Sequence, residues 1–315
     1  MTCHNCNTLC KKSGKHRNGL QRFRCNQCRK TFTEDHATPL GDMRIPLDKA
    51  GKAIELLVEG CSVSSVERIT GIHHTTLLSL LVLAGDKCER FLENRVRNVP
   101  VADVECDEIW GFIKKKEGHK WLYEADRKEI GDAYTFVGIE RTSKLILAWH
   151  LGRRDKPSTE AFTANLRKAT AEKPFQLSTD GFRPYADAID SAFGCDVDYA
   201  QLVKVYATSN ESETRYSPGD VVGAIPSTIA GNPDPARICT SHIERQNLTM
   251  RMQIRRLTRL TNAFSKKWEN LKAALAIHFA WYNFVRVHKS LRMTPAMAAG
   301  ITDHIWSIPE LLEAA

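Results

Sequence analysis

Residues 103–113 read DVECDEIWGFI, and the fold of the chain turns on what this stretch becomes. Val104, Ile109, Trp110, Phe112 and Ile113 supply the β-branched and aromatic content of a strand, and a Lys- and Gly-containing turn follows. Working outward, 132–141 (DAYTFVGIER) and 145–152 (LILAWHLG) read as two further strands, so the three should form a meander. A helical segment follows at 158–172 (STEAFTANLRKATAE), then a short strand at 175–180 (FQLSTD) that runs into Gly181. The order is βββαβ. A helix over 186–193 and a strand over 197–205 come next, and the polar stretch from about 206 to 240 reads as an insertion loop.

Within this frame the acids stand out. Asp107 lies on the first strand and Asp180 at the end of the fourth. In a ribonuclease-H-like mixed sheet with flanking helices, βββαβ order brings those two strands side by side. Side-chain alternation sends Asp107 and Glu108 to opposite faces, so the reading admits one of them. Asp107 is chosen because Cys106 and Glu108 then share the other face. A third acid arrives on the segment 241–257, SHIERQNLTMRMQIRRL. As one helix it carries Ile243, Asn247, Met250, Ile254 and Leu257 on an apolar stripe. Glu244, Leu248, Arg251, Arg255 and Arg259 share the opposite face. Three carboxylates gathered at a few ångströms repel unless divalent cations neutralise them, which suits two Mg²⁺ (or Mn²⁺) ions held by Asp107, Asp180 and Glu244. The arginines beyond Glu244 suit the phosphates of a DNA strand.

Upstream lie two smaller modules. Cys3-x2-Cys6 and Cys25-x2-Cys28 are knuckles 18 residues apart, the spacing that wraps one tetrahedral structural Zn²⁺. His4 and Cys10 are possible substitutes for one ligand. Residues 1–38 hold too few aliphatics for an ordinary core, so this zinc ribbon needs its staple. Eight lysines and arginines between Lys11 and Lys30 suit a phosphate backbone. Residues 39–98 read as three short amphipathic helices. CSVSSVERITGIHHTTLLSLL (61–81) has a helix-turn-helix shape, with His74, Thr75 and Thr76 directed at DNA.

The net charge of +8 favours a polyanionic partner. No apolar run approaches the ~18 residues of a membrane span, and the N-terminus lacks a secretory signal, so a cytoplasmic location with no membrane partner is expected.

RFRCNQCRKTF (22–32), DEIW (107–110), TDGF (179–182), HIERQNLTMRMQIRRLTRLTNAFSKKWENL (242–271) and YNFVRVHKSLRMTPA (282–296) together resemble the DD(E) transposases of bacterial insertion sequences, closest to the "insertion sequence one" family. The resemblance covers nearly the whole chain. It implies that Asp107, Asp180 and Glu244 are the metal-binding acids of a catalytic domain over 99–300. The ribbon and helix-turn-helix would recognise element ends, with 301–315 as a C-terminal tail. It also implies double-stranded DNA, both element ends and target, as partner and a homo-oligomer in the DNA complex. Two features depart from the family: one continuous chain carries both modules, and the stretch before Glu244 is long. For Tyr282, Asn283, Arg286 and His288, bracing the site or contacting DNA stands beside simple helix packing. A zinc-ribbon DNA-binding regulator without catalysis, and a nuclease that cuts but does not join, use the same modules.

Overall fold

The computed structural model describes residues 1–16, 19–34, 39–206 and 221–314. They fall into two compact units, Met1–Asp42 and Met43–Ala315.

In the first unit β1 (Cys10–Lys15), β2 (Gln21–Cys25) and β3 (Thr31–Thr33) form an antiparallel sheet in chain order. Its apolar content is small: Phe23 pairs with Phe32 across the strands, and their rings stack at 6.2 Å. Arg17, one of the eight basic residues expected near a phosphate backbone, lies outside the described residues.

The second unit opens with α1 (Leu47–Val58), α2 (Val63–Thr70) and α3 (His74–Arg95). Ser62 caps α2 by accepting the Ser65 N–H at 3.1 Å, and Gly71 ends it in the left-handed region at φ 66°. The sheet follows: β4 (Asp103–Ile113), β5 (Gly131–Glu140), β6 (Ile146–Gly152), α4 (Lys156–Ala169), β7 (Phe175–Thr179), α5 (Pro184–Phe193), β8 (Val197–Tyr206) and β9 (Val221–Ala230). The chain closes with α6 (Ser241–Gln253), α7 (Trp268–Phe284), α8 (Pro295–Ala298) and α9 (Ile308–Ala314). Strand order is β6-β5-β4-β7-β8-β9. The meander β4–β6 and the β8–β9 pair are antiparallel; β7 runs parallel to both β4 and β8.

The two faces of the sheet are covered differently. A Cβ on Gly138, which pairs with Cys106, would meet Leu166 and Phe162 of α4, so α4 and α5 lie on the Cys106 face. A Cβ on Gly111 would meet Leu257 at 3.0 Å, so the segment after α6 covers the Asp107 face. Helix α7 packs along α3 so closely that a Cβ on Gly85 would lie 2.4 Å from Ala273. Residues 39–98 beyond Asp42 are thus part of the same compact unit as the sheet. No helix among the described residues is long and apolar enough to cross a membrane.

Three expectations need correction. Part of the stretch 206–240 expected as a loop is strand β9, and residues 207–220 lie outside the described residues. β9 is an edge strand, where the missing N–H of Pro226 costs no ladder bond. Second, α6 stops at Gln253, because Ile254 leaves helical geometry at φ −94°, ψ 96°. Arg255 therefore sits in a separate 3-10 turn and Arg259 beyond it, off the stripe carried by Glu244 and Arg251. The break lets Ile254 and Leu257 both bury. Third, the C-terminal tail expected over 301–315 carries a packed helix: α9 buries Ile308, Leu311 and Leu312 and packs against α1.

Candidate functional site

Within the Met1–Asp42 unit the four expected cysteines meet. Cys3, Cys6, Cys25 and Cys28 place their sulfurs within 4.8 Å of one another, with Cys3–Cys28 and Cys3–Cys6 at 3.5 Å and Cys6–Cys25 at 3.6 Å. Those separations approach the edge of a tetrahedron with Zn–S bonds of ~2.3 Å, about 3.8 Å. The two knuckles are built alike. In each, the first cysteine's N–H donates to the carbonyl five residues on (Thr8, Lys30), and the residue after the second cysteine, Asn7 or Arg29, takes a positive φ. Hydrogen bonding from Thr8 and the backbone pulls the Cys25 thiol down to about 5, while hydrogen bonding with Cys28 pushes the Cys6 thiol up to about 12. These four cysteines could hold zinc. Cys10 instead points its thiol at the Thr8 carbonyl, and His4 lies edge-on to Phe32 at 5.0 Å.

The acids meet in the second unit. Register pairs Cys106 with Thr179, the last residue of β7, so Asp180 follows just beyond the strand end, level with Asp107. Oxygens of Asp107, Glu108 and Asp180 all lie within 4.8 Å of one another. The expectation that alternation excludes Glu108 is therefore corrected. Asp107 and Glu108 do leave opposite faces, but past the end of β7 the sheet no longer separates those faces, and both reach Asp180.

Burial makes this grouping costly. Enclosure, and then the Asp180 charge, push the Asp107 carboxyl up to about 6 and Glu108 up to about 8. Asp107 keeps two hydrogen bonds, accepting the Glu108 N–H at 2.8 Å and the Asn247 amide at 2.8 Å. Arg154 offsets part of the charge, at 3.3 Å from Glu108 and 3.7 Å from Asp180, with its guanidinium 4.1 Å from the Phe182 ring centre. Asp180 also accepts the Phe182 N–H, which fixes the turn after β7.

Glu244 lines the same cavity, of about 680 Å³, together with Asp107, Asp180, Arg154 and Lys204. Its carboxylate is held by Lys204 of β8 at 2.5 Å and by the Thr240 hydroxyl at 2.6 Å. It stands outside the tight group formed by the other three acids. The helix bearing it is anchored by Glu105, a buried acid two residues before Asp107 on the same face of β4. Glu105 accepts the His242 and Ile243 N–H groups at 2.8 and 3.1 Å, and its carboxylate contacts His242 Nδ1 at 2.8 Å. Thr240 makes no side-chain cap, so Glu105 caps α6 from the neighbouring strand.

The remaining candidates lie elsewhere in the second unit. Arg251 donates to the carbonyls of Leu257 and Trp110, while Arg255 lines a separate cleft with Glu67 and His74. At the start of α3, His74 and Thr75 are exposed and Thr76 half-buried; Glu67 accepts from His74, which holds its carboxyl below the usual range. Asn283 is fully buried and bonds both the N–H and the carbonyl of Ile146, tying α7 to the sheet edge. Arg286 lies over Trp281 and donates to Gln253. Tyr282 packs edge-on to His288 at 4.6 Å. These four residues therefore pack the α7 region and do not line the acid cavity. Glu105, Arg154, Lys204 and the role of Asn247 were missed, and Glu108 was considered but set aside. Residue spacing could have flagged Glu105, two residues before Asp107 on one strand face, and Asn247, a polar residue on the otherwise apolar stripe of α6 that faces β4; Arg154 and Lys204 carry no local signal.

No protein-family model matches the chain, and no curated protein matches it. Among solved structures it is similar to the piggyBac transposase in a synaptic complex with hairpin DNA. The identity is 11%, 89% of this chain and 72% of that chain are covered, and the TM-score is 0.38. A likeness of that size does not define a shared fold.

Proposed function

We propose that the chain is a DD(E) transposase that cleaves and joins DNA phosphodiesters at the cavity between Asp107, Asp180 and Glu244. The observation that carries this reading is the meeting of Asp107 with Asp180 at the ends of adjacent strands, across one cavity from Glu244. The β6-β5-β4-β7-β8 order, with β7 parallel to β4, supports a ribonuclease-H-like sheet.

Asp107, Asp180 and Glu244 would hold two Mg²⁺ or Mn²⁺ ions. The donor set fits: hard oxygens, an enclosed Asp107 carboxyl whose raised pKa a cation would relieve, and a buried Asn247 carbonyl oxygen without a partner. Such ions activate water or a 3′-hydroxyl and stabilise the leaving oxygen. The chain's own part is positional. Glu105 fixes the start of α6, so Glu244 faces β4. Asn247 orients Asp107. Arg154 and Lys204, which pair with the acids, present cationic side chains where the scissile phosphate would lie. The four-cysteine ribbon and the α2–α3 hairpin, with His74, Thr75 and Thr76, would read the element ends, and the ends would be joined in a homo-oligomer.

The test incubates the protein with labelled element ends, a target plasmid and Mg²⁺ or Mn²⁺, with Asp180→Asn as control. Transfer product that the control abolishes is expected. Nicking without joining would make the protein a nuclease, and binding alone a regulator; either outcome overturns the proposal.

A further inference from the structure

Farther along β4 a second cavity opens, of about 260 Å³. Trp110 and Phe112 line it, with Phe264 from the segment before α7. Ring centres lie 5.6 Å apart for Trp110–Phe112 and 4.9 Å for Phe112–Phe264, and all three rings are half-exposed. Lys116, Arg251, Arg256 and Arg259 complete the charged lining, and no carboxylate contributes. The Lys116 ammonium sits 5.5 Å from the Trp110 ring centre. Among the described residues none of these four cations has an ion-pair partner. Partial burial pushes Arg251 and Arg256 down to about 10, and although Arg251 donates to the Leu257 and Trp110 carbonyls, neither guanidinium faces an anion. Thr258 and Thr261 add hydroxyls at the rim.

Aromatic faces beside unpaired guanidinium groups match two parts of one ligand. A ring stacks on a flat base, and a buried cation recovers its lost hydration from a phosphate. The cavity is smaller than the roughly 300–1,000 Å³ of a drug-sized cleft, so it suits one base better than a base pair. Trp110 follows Asp107 by three residues on the same strand, roughly 10 Å at ~3.3 Å per residue; alternation sends the two side chains to opposite faces, but β7 pairs with β4 only as far as Cys106, so a strand of DNA can pass round that open edge from one to the other.

We infer that this cavity receives one unpaired nucleotide of bound DNA, its base stacked on Trp110 and Phe112 and its phosphate held by Arg251, Arg256 and Arg259. The inference rests on the reading that the neighbouring acids act on DNA. An extruded base would set the register of the strand relative to Asp107 and select distorted or opened duplex over paired duplex.

The test is a binding titration of the full chain in EDTA, so no cleavage intervenes. The probes are a duplex carrying one bulged 2-aminopurine and the same duplex fully paired. Stacking of one base predicts roughly tenfold tighter binding of the bulged probe, with its fluorescence quenched on binding. Trp110→Ala should abolish both the preference and the quenching while binding of paired duplex persists. Trp110→Phe should keep most of each, which excludes misfolding as the cause. Arg256→Ala should weaken binding of the bulged probe. Asp180→Asn should leave the preference intact. Equal affinity for the two probes, or a preference that survives Trp110→Ala, overturns the inference without touching the acid site. Loss of Mg²⁺-dependent cleavage with the bulge preference retained would overturn the acid reading alone and leave this cavity a nucleotide site.

Discussion

Replacing Asp107 with Asn should stabilise the metal-free protein at neutral pH. The Asp107 carboxyl is raised from its ordinary 3.8 to about 6, chiefly because it is enclosed and secondarily because Asp180 is charged. At ~1.4 kcal/mol per unit, a shift of about two units corresponds to about 3 kcal/mol. An acid whose folded-state pKa is raised contributes its stability fully below the unfolded value, and that stability is lost as pH rises through the folded value. The difference between Asp107→Asn and the parent should therefore be near zero below pH 4, open through pH 6, and reach about 3 kcal/mol by pH 8. Asparagine retains an acceptor for the Glu108 N–H, and its NH2 would face Asn247, whose unpartnered oxygen can turn to accept it, so the charge is removed with little loss of contact. For a unit of this size the gain is on the order of 5–10 °C in melting temperature.

Magnesium should reverse the order of the two proteins. A cation held at 100 times its Kd adds about 2.7 kcal/mol to whichever folded state binds it. Above pH 6 the parent should gain that increment, and the variant should gain little of it. Calorimetric melts at pH 4, 6 and 8, each in EDTA and in Mg²⁺, check both halves. Equal melting of parent and variant at pH 8 in EDTA would refute the claim that the acid group is electrostatically strained. An identical Mg²⁺ increment in both would refute the claim that Asp107 is a ligand.

Three further outcomes follow from packing. Glu105→Ala leaves the first N–H groups of α6 without their acceptor and should cost about 3 kcal/mol by chemical denaturation; cleavage should fall further still, because α6 carries Glu244. Gly85→Ala should destabilise by about 1–3 kcal/mol despite the better helix propensity of Ala, since the new methyl meets Ala273; pairing it with Ala273→Gly should recover part of the loss. Zinc should be measurable by atomic absorption in the purified chain, and a chelator or Cys25→Ser should release it and melt Met1–Asp42 while the main transition of Met43–Ala315 stays in place.

Much of this architecture was legible in the sequence because its signals are local. The meander, α4, β7 and the CxxC knuckles each declare themselves within about a dozen residues, through periodicity or fixed ligand spacing. What escaped was set by neighbours distant in the chain. VVGAIPSTIA (221–230) reads as coil until β8 supplies its partner. Helix α6 looks continuous through its arginines, but burial of Ile254 and Leu257 over β4 outweighs helix propensity and breaks it at Gln253.

The acid cavity makes the same point for chemistry. Asp107, Asp180 and Glu244 could be nominated because each stands at a strand or helix position that one sheet order brings together. Their counter-charges could not. Arg154 precedes α4 and Lys204 lies on β8, each dozens of residues from the acid it meets, with nothing in either neighbourhood to mark it. Yet these two fix how the site would work. On the proposed reading, a divalent ion held by Asp107, Asp180 and Glu244 would have to compete with Arg154 for Asp180 and with Lys204 for Glu244. A phosphate arriving with the ion offers both displaced cations a new partner. Metal and DNA would then bind better together than separately, because each relieves the charge that the other uncovers.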